Sequence, residues 1–113
     1  MSEWTSEDDK LVTLARGARA RIAAVSGAAL RDTTGRTYSA TNVSSGPLEL
    51  TSIELLVGLA KASGATGIEA IVVVADDVLV TARDMEIVQS LGGNAVPVHV
   101  FDNSSSLLRT LYS

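Results

Sequence analysis

Ile68-Glu69-Ala70-Ile71-Val72-Val73-Val74-Ala75 is the segment on which the fold turns. Four consecutive β-branched residues, Ile71 to Val74, pack well on a pleated surface. Side chains alternate across a strand, so an unbroken apolar run puts apolar groups on both faces. Such a strand belongs in the centre of a sheet that is covered on both sides. Downstream, Thr81 or Asp84 begins a helix that runs through Leu91 and is closed by Gly92-Gly93. Val96, Val98 and Val100 then alternate with Pro97, His99 and Phe101, the period of a strand. Asp102 to Ser106 leads into an expected short helix carrying Leu107, Leu108 and Leu111.

Upstream, Ser44-Ser45-Gly46-Pro47 breaks the chain, with Ser45 or Gly46 near a helix cap and Pro47 in the first turn. The helix expected from Leu48 to Ala62, ended by Ser63-Gly64, is apolar around most of its circumference. A helix of that kind is buried on more than one side. In so small a protein this suggests a partner subunit. Before it, Val25 to Leu30 and Thr37 to Val43 flank the turn Asp32-Thr33-Thr34-Gly35 and read as a hairpin. Gly27 and the small alanines beside it imply that another element packs closely on the first strand. Thr5 or Ser6, followed by Asp8 and Asp9, caps a first helix in which Leu11, Ala15, Ala18 and Ile22 recur at helical spacing. The order is α-β-β-α-β-α-β-α. Residues 1–113 form one domain, without repeats or linkers, as the length leads one to expect.

Composition excludes several functional classes. An apolar fraction of 46% supports a core and rules out bulk disorder, and at 4% aromatic that core is aliphatic. A net charge of −4 with scattered Lys and Arg argues against nucleic acid, since a phosphate backbone rewards clustered cations. No apolar run approaches the roughly 20 residues of a membrane span. The start Met1-Ser2-Glu3-Trp4 is unlike a signal peptide, so the expected compartment is the cytoplasm. The chain has no cysteine, which removes disulfides, thiolate nucleophiles and the commonest zinc ligands together.

Four stretches carry a resemblance. They are Asp9-Lys10-Leu11-Val12 with Ala18-Arg19; Gly27-Ala28-Ala29-Leu30 with Gly35-Arg36-Thr37-Tyr38 and Asn42-Val43; Leu50-Thr51 with Lys61-Ala62; and Val73-Val74-Ala75-Asp76. In this order and spacing the chain resembles the small cytidine deaminases over nearly its whole length. The resemblance implies a three-layer α-β-α sandwich around a mixed sheet of four strands, or five, and assembly into a homo-oligomer, a dimer or tetramer. It also implies zinc. In that family a Cys-Ala-Glu turn of the second helix and a Pro-Cys-x-x-Cys pair at the start of the third hold the metal, and the Glu shuttles protons.

One ungapped register through Asn42-Val43, Leu50-Thr51 and Lys61-Ala62 puts Ile53 at the Cys and Leu55 at the Glu. Sliding by one puts Ser52 and Glu54 there but breaks the Leu50-Thr51 anchor, so Glu54 reads as a helix-surface residue. Counting from Asp76 puts the cysteine pair at Asp84 and Ile87, or with a gap at Ala82 and Met85. No register recovers three ligands, and aliphatic side chains offer zinc no lone pair. No cofactor is therefore expected. The family's base-stacking Phe is replaced by Ala24 in a stretch shortened by about five residues, a length read from the order of the shared segments. Its ribose-gripping Asn-x-Glu becomes Asn42-Val43-Ser44, and the strand that usually follows the last one above has no obvious counterpart between Asp102 and Leu107.

The expected function is that of a catalytically inactive relative, an oligomeric scaffold or interaction protein with a further protein partner of unknown identity. Leu48, Leu55 and Leu59 are the expected oligomer contacts. Two alternatives stand beside it: a nucleoside- or nucleotide-binding module using the remnant cleft at Asn42 and Ser44, and a hydrolase of different mechanism or one completed by another chain. His99, the single histidine, reads as a partly exposed strand residue. Asp76-Asp77 with Asp84 is permissive for Mg²⁺, but that pattern is unspecific, and a strand-end turn followed by a helix cap is the favoured reading. Ser44-Ser45-Gly46 facing an anion is likewise matched by ordinary capping.

Overall fold

The computed structural model describes residues 4–75, 80–104 and 106–113. Helix α1 (Ser6–Arg21) begins at Thr5, whose hydroxyl accepts the Asp8 N–H while the Asp8 carboxylate accepts the Thr5 N–H, a capping box. Leu11, Ala15 and Ala18 are its buried apolar residues; Ile22 falls at the C-cap and is exposed rather than continuing the stripe. Strand β1 (Ser26–Asp32) is buried along its whole length because it is flanked on both edges. It runs antiparallel to β2 (Thr37–Thr41) and to β5 (Ile68–Ala75). The Asp32 carboxylate closes the β1–β2 turn by accepting the N–H groups of Thr34 and Arg36, with Gly35 at a φ of 89°.

Between β2 and the second helix the structure departs from the expectation. Val43–Ser45 (β3) and Leu48–Leu50 (β4) form a small antiparallel hairpin around Gly46, which sits at a φ of 60°. Helix α2 then spans Ser52–Ala62, four residues shorter at its start than the expected Leu48–Ala62. Leu48 is thus a strand residue, exposed on the hairpin. The reason is local: Thr51 and Glu54 form a capping box, and that fixes the first turn after Leu50.

Strand β5 is central, as its sequence requires. Helix α3 (Ala82–Gly92) crosses to β6 (Pro97–Phe101), which lies parallel to β5. The chain does not end in the expected helix. Residues Leu107–Tyr112 form β7, antiparallel to β6, so the counterpart strand read as missing is present. Asp102 turns the chain there, its carboxylate accepting the N–H groups of Ser104 and Ser106. The three leucines do not make a buried stripe, since Leu107 and Leu108 are exposed and the gain comes from ladder bonds to β6.

The resulting mixed sheet has five strands in the order β2-β1-β5-β6-β7. One face packs α1, with Leu11 and Ala15 against Ala29, Ala70, Val72, Val74 and Phe101. The other packs α2 and α3, with Ile53, Leu56 and Val88 against Leu30, Ile71, Val73 and Val98. This is the three-layer α-β-α sandwich. No described helix is long and apolar enough to cross a membrane.

Candidate functional site

The packing of α2 beside α3 on one face brings their N-terminal ends together. Each end carries its own capping box, Thr51 with Glu54 and Thr81 with Asp84. Thr81 Oγ1 accepts the Asp84 N–H at 3.0 Å, and Asp84 Oδ2 accepts the Thr81 N–H at 3.1 Å. Thr51 Oγ1 accepts the Glu54 N–H at 3.0 Å, and Glu54 Oε1 accepts the Thr51 N–H at 2.7 Å. The two boxes are fused, because the Thr51 hydroxyl donates to Asp84 Oδ1 at 2.6 Å. A second bridge lies outside the first: Arg83 Nε donates to Glu54 Oε2 at 3.1 Å.

The electrostatics follow from these bonds. Asp84 is only 3% exposed, so a carboxylate there needs donors, and it takes them from Thr51 and from its own cap. The Thr51 backbone N–H, followed by the Arg83 guanidinium, holds the Glu54 carboxyl below its ordinary range. A proton shuttle works best with a pKa near the operating pH. Glu54 is displaced the other way, and both its oxygens are occupied. It is a capping and bridging carboxylate.

The residues singled out in the sequence are dispersed. Asp84 alone among Ile53, Leu55, Asp84 and Ile87 reaches the junction of the helix ends. Ile53 is core, and Leu55 and Ile87 are half-buried against that core. Ala82 is exposed and Met85 packs on the core. Asn42 Oδ1 accepts the Ser26 N–H at 3.1 Å, finishing the β1–β2 ladder, while Ser44 lies on the β3–β4 hairpin bonded to Glu49. Asp76 and Asp77 lie outside the described residues. Thr51 and Thr81 carry the junction, although in the sequence Thr51 serves only as an alignment anchor. The signal that finds them is the spacing Thr-x-x-Glu and Thr-x-x-Asp, each the mark of a capping box.

Among the described residues, two of the clefts that lie elsewhere touch residues discussed above. One, of about 380 Å³, is lined by Ile22, Ala40, Leu55 and Leu59 where α2 meets the β2 edge. The other, of about 400 Å³, lies beside Thr5, Asp8, Arg31, Glu69 and His99 on the α1 face. His99 is half-buried, as expected, with Nδ1 2.9 Å from Thr110 Oγ1 and its ring edge-on to Trp4 at 5.1 Å. Burial pushes its pKa below the ordinary value against the pull of the Asp8 charge. Among the described residues no group of three or more His, Cys, Asp or Glu is placed to hold a metal ion.

Comparison with known proteins bears on this geometry. The family model described as cytidine deaminase-like matches residues 4–105. The structure is similar to a cytidine deaminase from Burkholderia pseudomallei, with a TM-score of 0.77 at 19% identity, covering 98% of this chain and 92% of that one. It is similar also to the cytidine deaminase from Mycobacterium leprae, with a TM-score of 0.72 at 19% identity, covering 92% of this chain and 91% of that one. At these identities the likeness is one of fold. No curated protein sequence matches the chain.

Proposed function

The chain belongs to the cytidine deaminase-like family, and from that premise we propose that it is a catalytically inactive member serving as an oligomeric scaffold or interaction protein. One observation carries the reading. Where α2 and α3 meet, the polar side chains are two threonine hydroxyls and the carboxylates of Asp84 and Glu54; Thr51 is bonded to Asp84 across the helices, and each of the four is tied into its own helix cap. Zinc of the family type needs three thiolate or imidazole donors around an open position. A threonine hydroxyl stays protonated near neutrality, and each oxygen of the Asp84 carboxylate already accepts one bond, Oδ1 from the Thr51 hydroxyl and Oδ2 from the Thr81 N–H. These residues do not fit zinc, and no catalytic step is routed through it.

Metal analysis of the purified protein, with an ammonia-release assay on cytidine and deoxycytidine, tests this directly. The expected outcome is no stoichiometric zinc and no ammonia above a no-protein control. About one zinc per chain, retained as tightly as structural sites retain it, would overturn the reading, and so would turnover. The nucleoside-binding alternative draws little support from the geometry, because Asn42 Oδ1 is spent on the backbone of Ser26. A cytoplasmic setting remains part of the proposal.

The scaffold half of the proposal rests on apolar surface. Leu48 and Leu59 are 52% and 42% exposed, and Leu55 and Leu59 line the cleft that also contains Ile22, itself 66% exposed. Soluble monomers rarely leave such groups contiguous over more than a few hundred Å². A second copy of the chain seated on this side of α2 would cover them, gaining about 1.5–3 kcal/mol per side chain before association costs. Leu59→Glu is expected to halve the mass seen by light scattering, or reduce it further, while leaving the circular dichroism unchanged. A wild-type monomer at micromolar concentration would refute it.

A further inference from the structure

We propose that Thr51, Thr81 and Asp84 are a metal-free latch standing at the three positions from which the family's cysteines hold zinc, so that thiols restored at these three positions restore a metal site. The proposal rests on the family reading above and assigns a different register from the one that places Ile53 and Ile87 at ligand positions. Three features of the junction carry it.

The first is spacing. Thr81-Ala82-Arg83-Asp84 places its two polar side chains three residues apart at the start of α3, the separation of a Cys-x-x-Cys pair. The second is convergence. Thr51 is the N-cap of the other helix, yet its hydroxyl lies 2.6 Å from Asp84 Oδ1, while the Thr81 hydroxyl lies 3.0 Å from the Asp84 N–H. Asp84 therefore joins the two helix ends, with the Thr51 hydroxyl on its carboxylate and the Thr81 hydroxyl on its own N–H, and residues that hold one metal must meet across the helices in this way. Ile53 and Ile87 do not gather there: Ile53 is 1% exposed within the aliphatic core, and Ile87 packs on that core. The third is position in the field of the fold. Two helix N-termini bring two partial positive charges together. Thiolates would be stabilised there, and in their absence the Asp84 carboxylate supplies the negative charge. The latch thereby replaces both the crosslink and the charge of a metal–thiolate centre.

The test compares two triple variants refolded with Co²⁺, whose tetrahedral thiolate complexes absorb strongly in the visible. Thr51→Cys/Thr81→Cys/Asp84→Cys is expected to bind about one Co²⁺ per chain with tetrahedral thiolate bands. Ile53→Cys/Asp84→Cys/Ile87→Cys is expected to give none. A folded first variant without those bands, or the bands in the second, overturns the assignment. Zinc-free wild type with either result leaves the inactive-member reading intact, so the two proposals fail separately. Should the first variant not fold, the latch is measured in the natural sequence through Thr51→Val and Asp84→Asn. Each is expected to lower Tm by at least about 4 °C, with the double variant's shift clearly smaller than the sum of the two single shifts. Additive shifts would overturn the latch, as would a fall in the wild-type Tm on adding a chelator.

Discussion

Gly27→Ala should cost this protein much of its stability, although it adds a single methyl group. A Cβ at Gly27 would lie 2.2 Å from the Ala15 carbonyl oxygen, 2.9 Å from Arg19 Cβ and 3.0 Å from the Arg19 nitrogen. Two of these neighbours are helix backbone, which cannot rotate aside as a side-chain tip can. Strand β1 cannot retreat either, since it is hydrogen-bonded to β2 on one edge and β5 on the other. The only relief is for α1 to lift from the sheet, loosening Leu11, Ala15 and Ala18 together. Overpacking a core costs about 1–3 kcal/mol and sometimes more, and a clash with fixed backbone belongs at the upper end. Against a typical total of about 5–15 kcal/mol, that is a large share. Gly17→Ala is the matched control, because nothing lies within 4 Å of its Cβ and it sits within α1. It should raise the urea midpoint slightly, by about 0.5–1 kcal/mol of helix propensity. A Gly27→Ala midpoint equal to that of wild type would sink the claim that this glycine sets the α1–sheet distance.

That close approach was legible in the sequence, where a glycine among alanines in a strand already implied a tightly packed neighbour. So were the central strand, from Ile71 to Val74, and the starts of α1 and α3, because their caps have fixed chemistry. The misreadings share a cause. Leu48 and Leu50 fit both a strand alternation and the edge of a helical stripe, and a short apolar run does not distinguish the two. The Thr51–Glu54 capping box decides between them, and it lies inside the segment assigned to the helix. Leu107, Leu108 and Leu111 likewise suit a helix in isolation. They form β7 because β6 would otherwise present an unpaired edge, and that is a property of the assembled sheet. The site was hardest to read for a similar reason. The junction of Thr51 and Asp84 joins residues 33 apart in sequence, and nothing local to either helix says that their ends meet.

Arg31 makes another contact of that kind, and its loss should be as damaging as the glycine substitution. It lies on β1 at 9% exposure, and its Nη2 donates to Asp8 Oδ1 at 2.9 Å and to Glu69 Oε1 at 3.0 Å. The two partners are unequal. The Glu69 side chain is 56% exposed, so Glu69→Gln should change stability by no more than about 1 kcal/mol. Asp8 is buried and also caps α1, so Arg31→Met strands a charge at the start of that helix. Removing one member of a buried pair typically costs about 3–5 kcal/mol, and the loss should appear as a lower urea midpoint at neutral pH. The pH dependence gives a second reading. Burial pushes the Asp8 carboxyl up, but the bond from Arg31, the Thr5 N–H and the Arg31 charge outweigh it, leaving the pKa below 3.8. A folded-state value below the unfolded one contributes stability above 3.8 that is lost as pH falls through the folded value. In Arg31→Met the burial effect loses its main opponent, so folding favours the protonated acid and the variant is relieved by acid. The gap between wild type and Arg31→Met should therefore be widest at neutral pH and narrow as the pH drops below about 4, the ordinary carboxyl range. Asp8→Asn/Arg31→Met should recover part of the loss at neutral pH, since it removes the stranded charge. A gap that stays constant from neutral to acid pH would mean that lost packing around the Arg31 stem, not the unpaired carboxylate, sets the cost.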